Sequence, residues 1–305
     1  MPLESNREPM QLRTLARVLF ESSRPAQILL VLAVYGFGAT VALAESAHFS
    51  AAALAAGGVV LLPIAASIHY ANEYADYETD AVTRRTPFSG GSGVLHRTGY
   101  SRRVVLLAAL GSLAVGAVLT AGFALVGLFS PLTVAILAVS TLFGWQYSVG
   151  PLKLAWRGWG ELDNAALGGL ALPVYGAAVL DGPLRFVAFV SVPFFLLVLL
   201  NLFATQWPDR AADAQAGKRT LAVRWPRRRL RWSYVAIAVV AGGALLALAG
   251  TLLPLPVAAA SLLAAPLVAY GAYGYTRRHV PWPTVGAMMV LLAAQALAWC
   301  WVEFA

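Results

Sequence analysis

Charged residues are scarce in this chain of 305 residues: only 12% are Asp, Glu, Lys or Arg, against 59% hydrophobic residues. A soluble domain has about 25% charged residues, so this chain has too few to cover a water-exposed surface. That shortage excludes a soluble enzyme, a disordered chain and a coiled coil. The sequence has one cysteine, Cys300, which excludes a disulfide framework, and it has no Cys/His cluster of the kind that binds zinc.

The apolar residues are collected into nine blocks of about twenty residues, the length that crosses a bilayer as a helix. The blocks lie at 26–44, 51–73, 103–121, 129–148, 162–180, 184–207, 232–250, 254–273 and 283–302. Because the blocks are too long for barrel strands, we predict an all-α polytopic membrane protein, with nine transmembrane helices around a central cavity open to the cytoplasm. We expect one domain over 1–305, with a cytoplasmic amphipathic lead at 1–25 and cytoplasmic cap loops at 77–102 and 208–231.

The positive charge is distributed on one side of these blocks. Of the 22 lysines and arginines, only Arg185 lies in a loop that follows an odd-numbered block. Since cationic loops stay in the cytoplasm, we predict an N-terminus inside and a C-terminus outside, in a prokaryotic cell membrane. The net charge of +8 therefore indicates membrane topology rather than nucleic-acid binding.

Two acidic patterns with matching spacing lie at the ends of the second and sixth blocks. They are Asn72, Asp76 and Asp80 in the first, and Thr205, Asp209 and Asp213 in the second. Residues at i, i+4 and i+8 lie along one face of a helix. Each pattern therefore predicts a row of oxygen ligands at the cytoplasmic end of a membrane helix, and the long polar loops that follow place the working face there.

Two facing rows of carboxylates repel each other and lose hydration, so they need cations between them. Mg²⁺ typically takes one or two carboxylates and completes its shell with water and substrate phosphates, and Mn²⁺ accepts the same ligands. Either row alone could consist of solvated helix-end carboxylates, but the two together suit a diphosphate bound through metal ions. Arginine and lysine complement phosphate, and those that follow the rows are Arg84, Arg85, Arg97, Lys218 and Arg219.

These motifs resemble the two aspartate-rich motifs of the UbiA superfamily of intramembrane aromatic prenyltransferases, whose nine-span pattern is also similar. The segments 89–95, 147–153 and 216–223 resemble the menaquinone branch, the 1,4-dihydroxy-2-naphthoate polyprenyltransferases. Three features depart from patterns within the family. Glu73 stands where many members have a second aspartate. Asp80 follows at i+8, whereas the menaquinone branch often has a longer gap before its last aspartate, and Tyr147 and Lys153 are six residues apart, whereas other branches use four.

The resemblance implies an enzyme that transfers a polyprenyl group from its diphosphate to an aromatic acceptor, here expected to be 1,4-dihydroxy-2-naphthoate. It implies two Mg²⁺ ions, one on Asp76 and Asp80 and one on Asp209 and Asp213, with Asn72 adding an oxygen or positioning a water molecule. Lys218 would neutralise the departing diphosphate and Tyr147 would stabilise an allylic cation. The further residues expected to bind substrate are Asn72, Arg84, Arg85, Ser89, Gly91, Arg97, Lys153, Gln206 and Arg219.

Three alternatives stay open at this point. The acceptor could be another aromatic compound, or the enzyme could be a UbiA-type terpene cyclase that lets the allylic cation close on itself. A cation-coupled transporter would also use carboxylates within the membrane, although such residues would be expected near midspan. Prenyl chain length and oligomeric state are not predicted.

Overall fold

The computed structural model describes residues 7–83 and 90–304, and the regular elements in these two ranges are helices. In chain order the α-helices are α1 Arg7–Ser22, α2 Pro25–Glu45, α3 Ala51–Ala75, α4 Tyr77–Val82, α5 Val94–Thr98, α6 Arg103–Leu125, α7 Pro131–Ser148, α8 Leu154–Arg157, α9 Gly160–Ala166, α10 Leu172–Ala178, α11 Leu184–Val190, α12 Val192–Gln206, α13 Arg210–Gln215, α14 Leu221–Arg224, α15 Arg227–Leu248, α16 Leu255–Ser261, α17 Ala265–Gly274 and α18 Trp282–Phe304. A π-helix, Leu167–Ala171, joins α9 to α10, and a short 3₁₀ helix, Leu262–Ala264, joins α16 to α17. The predicted all-α class is confirmed.

Six of the helical segments in the described ranges are long and apolar enough to cross a membrane: α2, α3, α6, α15, the run Leu255–Gly274, and α18. The pair α11 and α12 adds a seventh if it forms one span bent by 51°. The predicted blocks 129–148 and 162–180 coincide with α7 and with the run from α9 to α10, which the π-helix interrupts. The count of nine spans and the direction of insertion therefore stay predictions.

Close helix contacts bring the membrane helices together around the middle of the molecule. A Cβ atom at Gly38 would lie 2.0 Å from the carbonyl oxygen of Pro173, and one at Gly176 would lie 2.2 Å from that of Tyr35. Only glycine permits this approach of α2 and α10. A large apolar cluster then joins α2, α12, α15 and α18, and this packing fixes the helices that form the walls of the central cavity.

Both acidic patterns lie at helix breaks rather than along uninterrupted helices. Asp76, with φ −90° and ψ 7°, connects α3 to α4, and a turn at 207–209 connects α12 to α13. The Asp80 N–H still donates to the Asp76 carbonyl at 2.8 Å, and the Asp213 N–H donates to that of Asp209 at 2.9 Å. Each row therefore extends across a helix break, and the i to i+4 backbone hydrogen bond is kept across it.

The segments predicted as cap loops contain short helices. The first, 77–102, includes α4 and α5, and the second, 208–231, includes α13 and α14. Because α4 packs against α13, the two segments meet, and the acidic residues that they carry lie at the same end of the helix assembly.

Candidate active site

A cavity of about 690 Å³ extends from the contact of α4 with α13 into the helix assembly. Its polar end is lined by charged residues: Asp76, Asp80, Asp209, Asp213 and Lys218. Its other end is lined by apolar side chains that include Leu61, Ile64, Leu137, Phe194 and Met288. The cavity therefore offers a charged pole and an apolar pole within one continuous space.

Lys218 connects the two acidic rows. Its Nζ donates to Asp76 at 3.2 Å from Oδ1 and 3.1 Å from Oδ2, and it lies 4.0 Å from Oδ1 of Asp213. All three residues are buried. Burial alone would lower the pKa of Lys218, but the carboxylates of Asp76 and Asp213 raise it above its usual value. The ammonium group therefore stays charged and marks a point between the rows where positive charge is strongly stabilised.

Asn72 fixes the position of the Asp76 carboxylate. Its Nδ2 donates to Oδ2 of Asp76 at 3.1 Å and to Oγ of Ser148 at 2.7 Å. Asn72 lies one helical turn before Asp76 on α3, and Ser148 ends α7. The amide thus ties the end of one membrane helix to the end of another, with the carboxylate held between them.

A glycine turn covers Asp80. Gly91 has φ +64°, and a Cβ atom there would lie 1.9 Å from Oδ2 of Asp80, so a larger residue would collide with the carboxylate. The turn is fixed by Glu73, which accepts bonds from the backbone N–H and the hydroxyl of Ser92, each at 2.8 Å. Arg24 donates to Oε1 of Glu73, which also accepts from the Ser92 N–H; the distances are 3.1 Å from Nε and 2.8 Å from Nη2 of Arg24. Glu73, at the position where the family often has aspartate, therefore holds the glycine turn in place.

One carboxyl group in each row, that of Asp80 and that of Asp213, has a pKa above that of a free aspartate. Burial, with the nearby charges of Asp76 and Glu73, raises the pKa of Asp80 to about 7. Burial also raises the pKa of Asp213 to about 6, opposed by Lys218 and by a weak bond of 3.4 Å from the Thr220 hydroxyl. Carboxylates crowded in this way are stabilised by a further cation.

The donor set at the charged pole fits Mg²⁺ bound jointly with substrate. Within residues 7–83 and 90–304, no three His, Cys, Asp or Glu side chains are close enough to hold a metal by themselves. Mg²⁺ normally uses one or two carboxylates together with water and phosphate oxygens. In addition, Oε1 of Gln206 is buried in the described part of the chain without a hydrogen-bond partner. Oxygen donors in pairs, with room left for further ligands, match that requirement.

The cavity gathers most of the predicted site residues. Those in its lining are Asn72, Asp76, Asp80, Gly91, Tyr147, Gln206, Asp209, Asp213 and Lys218. Arg84, Arg85 and Ser89 lie outside the described residues.

Three predicted substrate-binding residues do not line the cavity. Arg97 is exposed and pairs with Glu21 of α1. Lys153 is exposed in a left-handed conformation, with φ 44°, and Arg219 is exposed while its backbone N–H donates to Trp156 at 3.0 Å. Proximity in the chain to an acidic row did not place these long side chains in the cavity.

The cavity residues that the sequence analysis missed include His69, Asn201 and Arg24. Asn201 lies four residues before Thr205, so the spacing of the acidic rows would have found it if extended inward. His69 lies three residues before Asn72, which is also about one helical turn but not the four-residue step of the rows. Nε2 of His69 and Oδ1 of Asn201 are buried, with no hydrogen-bond partner in the described residues. Arg24 comes from the start of α2, far from either row in sequence, and no spacing rule indicated it.

Comparison with known proteins identifies the family. A sequence profile of the UbiA prenyltransferase family matches residues 29–281. The chain belongs to the UbiA prenyltransferase family. A 1,4-dihydroxy-2-naphthoate octaprenyltransferase of Mycobacterium tuberculosis (strain ATCC 25618 / H37Rv) is 31% identical over 214 residues, which are 68% of this chain and 69% of the relative. The predictions of a prenyltransferase and of an integral multi-pass membrane protein are confirmed.

Solved structures share the fold of this chain. A UbiA homologue from Archaeoglobus fulgidus bound to GPP and Mg²⁺ aligns with a TM-score of 0.68 at 17% identity, over 94% of this chain and 99% of the homologue. A structure of digeranylgeranylglyceryl phosphate synthase aligns with a TM-score of 0.67 at 12% identity, over 95% of this chain and 98% of that one. At these identities the likeness shows a common fold.

Proposed function

We propose that this enzyme transfers a polyprenyl group from its diphosphate to 1,4-dihydroxy-2-naphthoate, with Mg²⁺ as cofactor and a role in menaquinone biosynthesis. The observation that carries the proposal is the cavity with carboxylate pairs at one pole and apolar side chains at the other. The naphthoate specificity of the Mycobacterium tuberculosis relative and the Mg²⁺ and GPP bound by the Archaeoglobus fulgidus homologue support the acceptor and the cofactor.

The charged pole is assigned to the diphosphate. Asp76 with Asp80, and Asp209 with Asp213, would hold two Mg²⁺ ions. The ions would supply Lewis-acid stabilisation of the charge that builds on the leaving oxygen. Lys218 stays protonated between the rows and donates to diphosphate oxygens as they gain charge, while Asn72 keeps the Asp76 carboxylate in place.

The apolar pole is assigned to the prenyl chain. Leu61, Ile64, Leu137 and Phe194 give the chain an apolar surface beyond the acidic residues. These walls exclude water from the allylic carbon, so the carbon reacts with the acceptor ring rather than with water. The ring of Tyr147, in the lining near Lys218, can stabilise positive charge on that carbon.

Between the poles lies a tier of uncharged polar groups, which we assign to the acceptor. His69 from α3 and Asn201 from α12 line the cavity, and Nε2 of His69 and Oδ1 of Asn201 are buried without a partner among the residues that the structure describes. The π-helix Leu167–Ala171 contributes Leu167, Gly168 and Ala171 to the wall, and such helices occur frequently at functional sites. The carbon joined to the diphosphate must lie in this tier, so the acceptor ring must reach it here, with its hydroxyl groups bonded to His69 and Asn201.

The experiment is a reconstituted assay with the full chain in lipid nanodiscs. With polyprenyl diphosphate, Mg²⁺ and 1,4-dihydroxy-2-naphthoate, we expect release of pyrophosphate and formation of a prenylated naphthol, identified by mass spectrometry. Pyrophosphate release with a cyclised hydrocarbon and no use of acceptor would instead establish a cyclase. No pyrophosphate release with any of a panel of aromatic acids would refute the prenyl-transfer assignment.

The acceptor tier is tested by the substitution His69→Leu. We expect the KM for the acceptor to rise about 10-fold or more, because a hydroxyl loses its bonding partner, while binding of prenyl diphosphate with Mg²⁺ is unchanged. His69→Gln should recover part of the loss, since an amide can still bond the hydroxyl. The exposed His48 provides a matched control, His48→Leu, which should leave both parameters unchanged. An unchanged acceptor KM in His69→Leu would remove the histidine from the site.

A further inference from the structure

The carboxyl-terminal part of the chain carries a strong excess of positive charge. Between Asp213 and Glu303 the sequence has no Asp or Glu, yet it has nine lysines and arginines. One of these, Lys218, belongs to the active site. Most of the others lie near the N-terminus of α15 and the C-terminus of α17.

Four of these arginines lie on aromatic rings. The guanidinium carbon of Arg229 is 4.0 Å from the ring centre of Trp225, and that of Arg227 is 5.6 Å from the ring centre of Trp207. On the neighbouring helix, Arg277 is 4.8 Å from the ring centre of Tyr273 and Arg278 is 5.8 Å from that of Tyr270. We call these four arginines and four rings the basic–aromatic cluster.

The two halves of the cluster are joined at one end of the helix assembly. Arg231 of α15 donates to the hydroxyl of Thr276, just beyond α17. The Tyr275 ring lies 5.0 Å from that of Tyr234 and 6.3 Å from that of Trp207, measured between centres. Since α12 ends beside Trp207, the cluster lies at the same end as the acidic rows but outside their cavity.

The ion pairs of residues 7–83 and 90–304 include none with Arg227, Arg229, Arg277 or Arg278. A guanidinium stacked on a ring can still present N–H groups to phosphate oxygens. Arg278 uses Nη1 to donate to the hydroxyl of Tyr270 at 2.7 Å, which leaves its other N–H groups for a ligand. Arg278 also borders a small pocket of about 80 Å³, together with Tyr270, Trp207 and Trp282. Nε1 of Trp207, a residue only 3% exposed, is a donor without a hydrogen-bond partner in the described part of the chain.

The exposed rings place the cluster at the level of lipid headgroups. Tyr270 is 40% exposed, Tyr273 60% and Trp282 46%, and all three lie near the ends of apolar helices. Tyrosine and tryptophan in such positions sit at the boundary between hydrocarbon and headgroups. Arg277 and Arg278, which lie on Tyr273 and Tyr270, therefore face the phosphates of the adjoining leaflet rather than bulk solvent.

We propose that the basic–aromatic cluster is a binding site for the phosphate of an acidic phospholipid, separate from the prenyl diphosphate site. Zwitterionic lipids carry a compensating positive charge, so an acidic lipid is favoured by the unneutralised arginines. The attraction of basic side chains to anionic lipid amounts to about fivefold in affinity for each arginine near the surface.

The test uses the full chain purified in mixed micelles with equal amounts of phosphatidylcholine and phosphatidylglycerol. Lipids retained after extensive washing are quantified by mass spectrometry. We expect several-fold enrichment of phosphatidylglycerol, and we expect Arg277→Gln with Arg278→Gln to return the ratio towards that of the micelle. The matched control is Arg157→Gln with Arg185→Gln, which removes the same charge elsewhere and should leave the enrichment intact.

Three outcomes would overturn the proposal. Equal retention of both lipids by the unchanged protein would leave the arginines with a role in membrane topology only. An equal loss of enrichment in the control pair would show that the effect depends on net charge and not on the cluster. Enrichment abolished by millimolar inorganic phosphate, together with phosphate binding by the lipid-free protein, would identify a site for soluble phosphate. A folding defect in the variants would leave the retention ratio of the unchanged protein as the deciding measurement.

Discussion

The two acidic rows have the same spacing in sequence and different surroundings in the fold. Asp76 has Lys218 and Asn72 within 3.2 Å, and Asp80 is covered by a glycine turn fixed through Glu73. Among the described residues, the Asp213 side chain accepts the weaker Thr220 bond at 3.4 Å and lies 4.0 Å from Lys218. Lys218 follows the second row in the chain, yet it lies closer to the first. The first row is therefore positioned by its surroundings before any cation binds, and we expect the second to be the more adaptable.

The largest effect is expected from removing a carboxylate from either row. Asp76→Asn and Asp213→Asn should each reduce turnover by roughly 10²–10³-fold, because each takes a charge from the diphosphate pole. The control Asp181→Asn changes an aspartate in the loop between α10 and α11, where its φ of 49° is tolerated by asparagine. Rates are measured with saturating acceptor. A large loss for Asp76 alone would show that the rows are unequal in chemistry as well as in packing.

Removing the cation between the rows should cause the largest loss of stability. Lys218→Met leaves two buried carboxylates without their shared partner, so unfolding should become easier by about 3–5 kcal/mol. Lys153 is the other lysine of the chain and is exposed, so Lys153→Met is a matched control with little expected effect. Thermal unfolding in detergent without metal measures the difference. Adding Asp76→Asn to Lys218→Met should cost less than the two changes separately, because the pair acts as a unit; simple additivity would contradict the contact.

The acidic rows could be predicted from sequence because charge is so rare in this chain. A carboxylate at the end of an apolar membrane helix, such as Asp76 or Asp213, is costly and therefore indicates a functional site. Matched spacing at the ends of two helices further indicates that the two sets of carboxylates act together. The all-helical fold followed from the length of the apolar blocks. The breaks at Asp76 and at 207–209 could not be predicted, since i+4 spacing is the same in a continuous and in an interrupted helix.

The rest of the site depends on contacts between distant segments. Arg24 reaches Glu73 across 49 positions of the chain, and no local pattern encodes that pairing. Arg97 and Arg219 were predicted to bind substrate because they follow the rows. Their long side chains have several directions open to them, and neither residue lines the cavity. Arg97 pairs with Glu21 of α1, and the backbone of Arg219 is fixed by its N–H bond to Trp156. Local spacing thus predicted the residues fixed by the helix ends and failed for those fixed by tertiary contacts.

The rows should also differ in how they titrate when no metal is bound. The pKa of Asp80 is raised to about 7 and that of Asp213 to about 6, in both cases chiefly by burial. A carboxyl whose pKa is higher in the folded state stabilises that state while protonated. That contribution is complete below about pH 4 and disappears as the pH rises through the folded value. With EDTA, Tm should therefore fall between about pH 4 and about pH 7. Asp80→Asn should flatten the upper part of this fall and Asp213→Asn the lower part; an identical change in both variants would remove the distinction.

The smallest effects are expected from residues that position the carboxylates of each row and bind neither metal nor substrate. Glu73→Gln removes the charge that Arg24 and the Ser92 turn share, so the free energy of unfolding should fall by about 1–3 kcal/mol. Thr220→Val preserves the shape of the side chain and removes a single long hydrogen bond to Asp213. The free energy of unfolding should therefore fall by at most about 0.5–1.5 kcal/mol. If the first row is held by its surroundings, Glu73→Gln should also raise the KM for prenyl diphosphate several-fold, because the turn over Asp80 loosens, while Thr220→Val should leave it unchanged. Equal effects on KM would mean that the glycine turn does not position Asp80, and that the two rows differ in packing without differing in preparation for substrate.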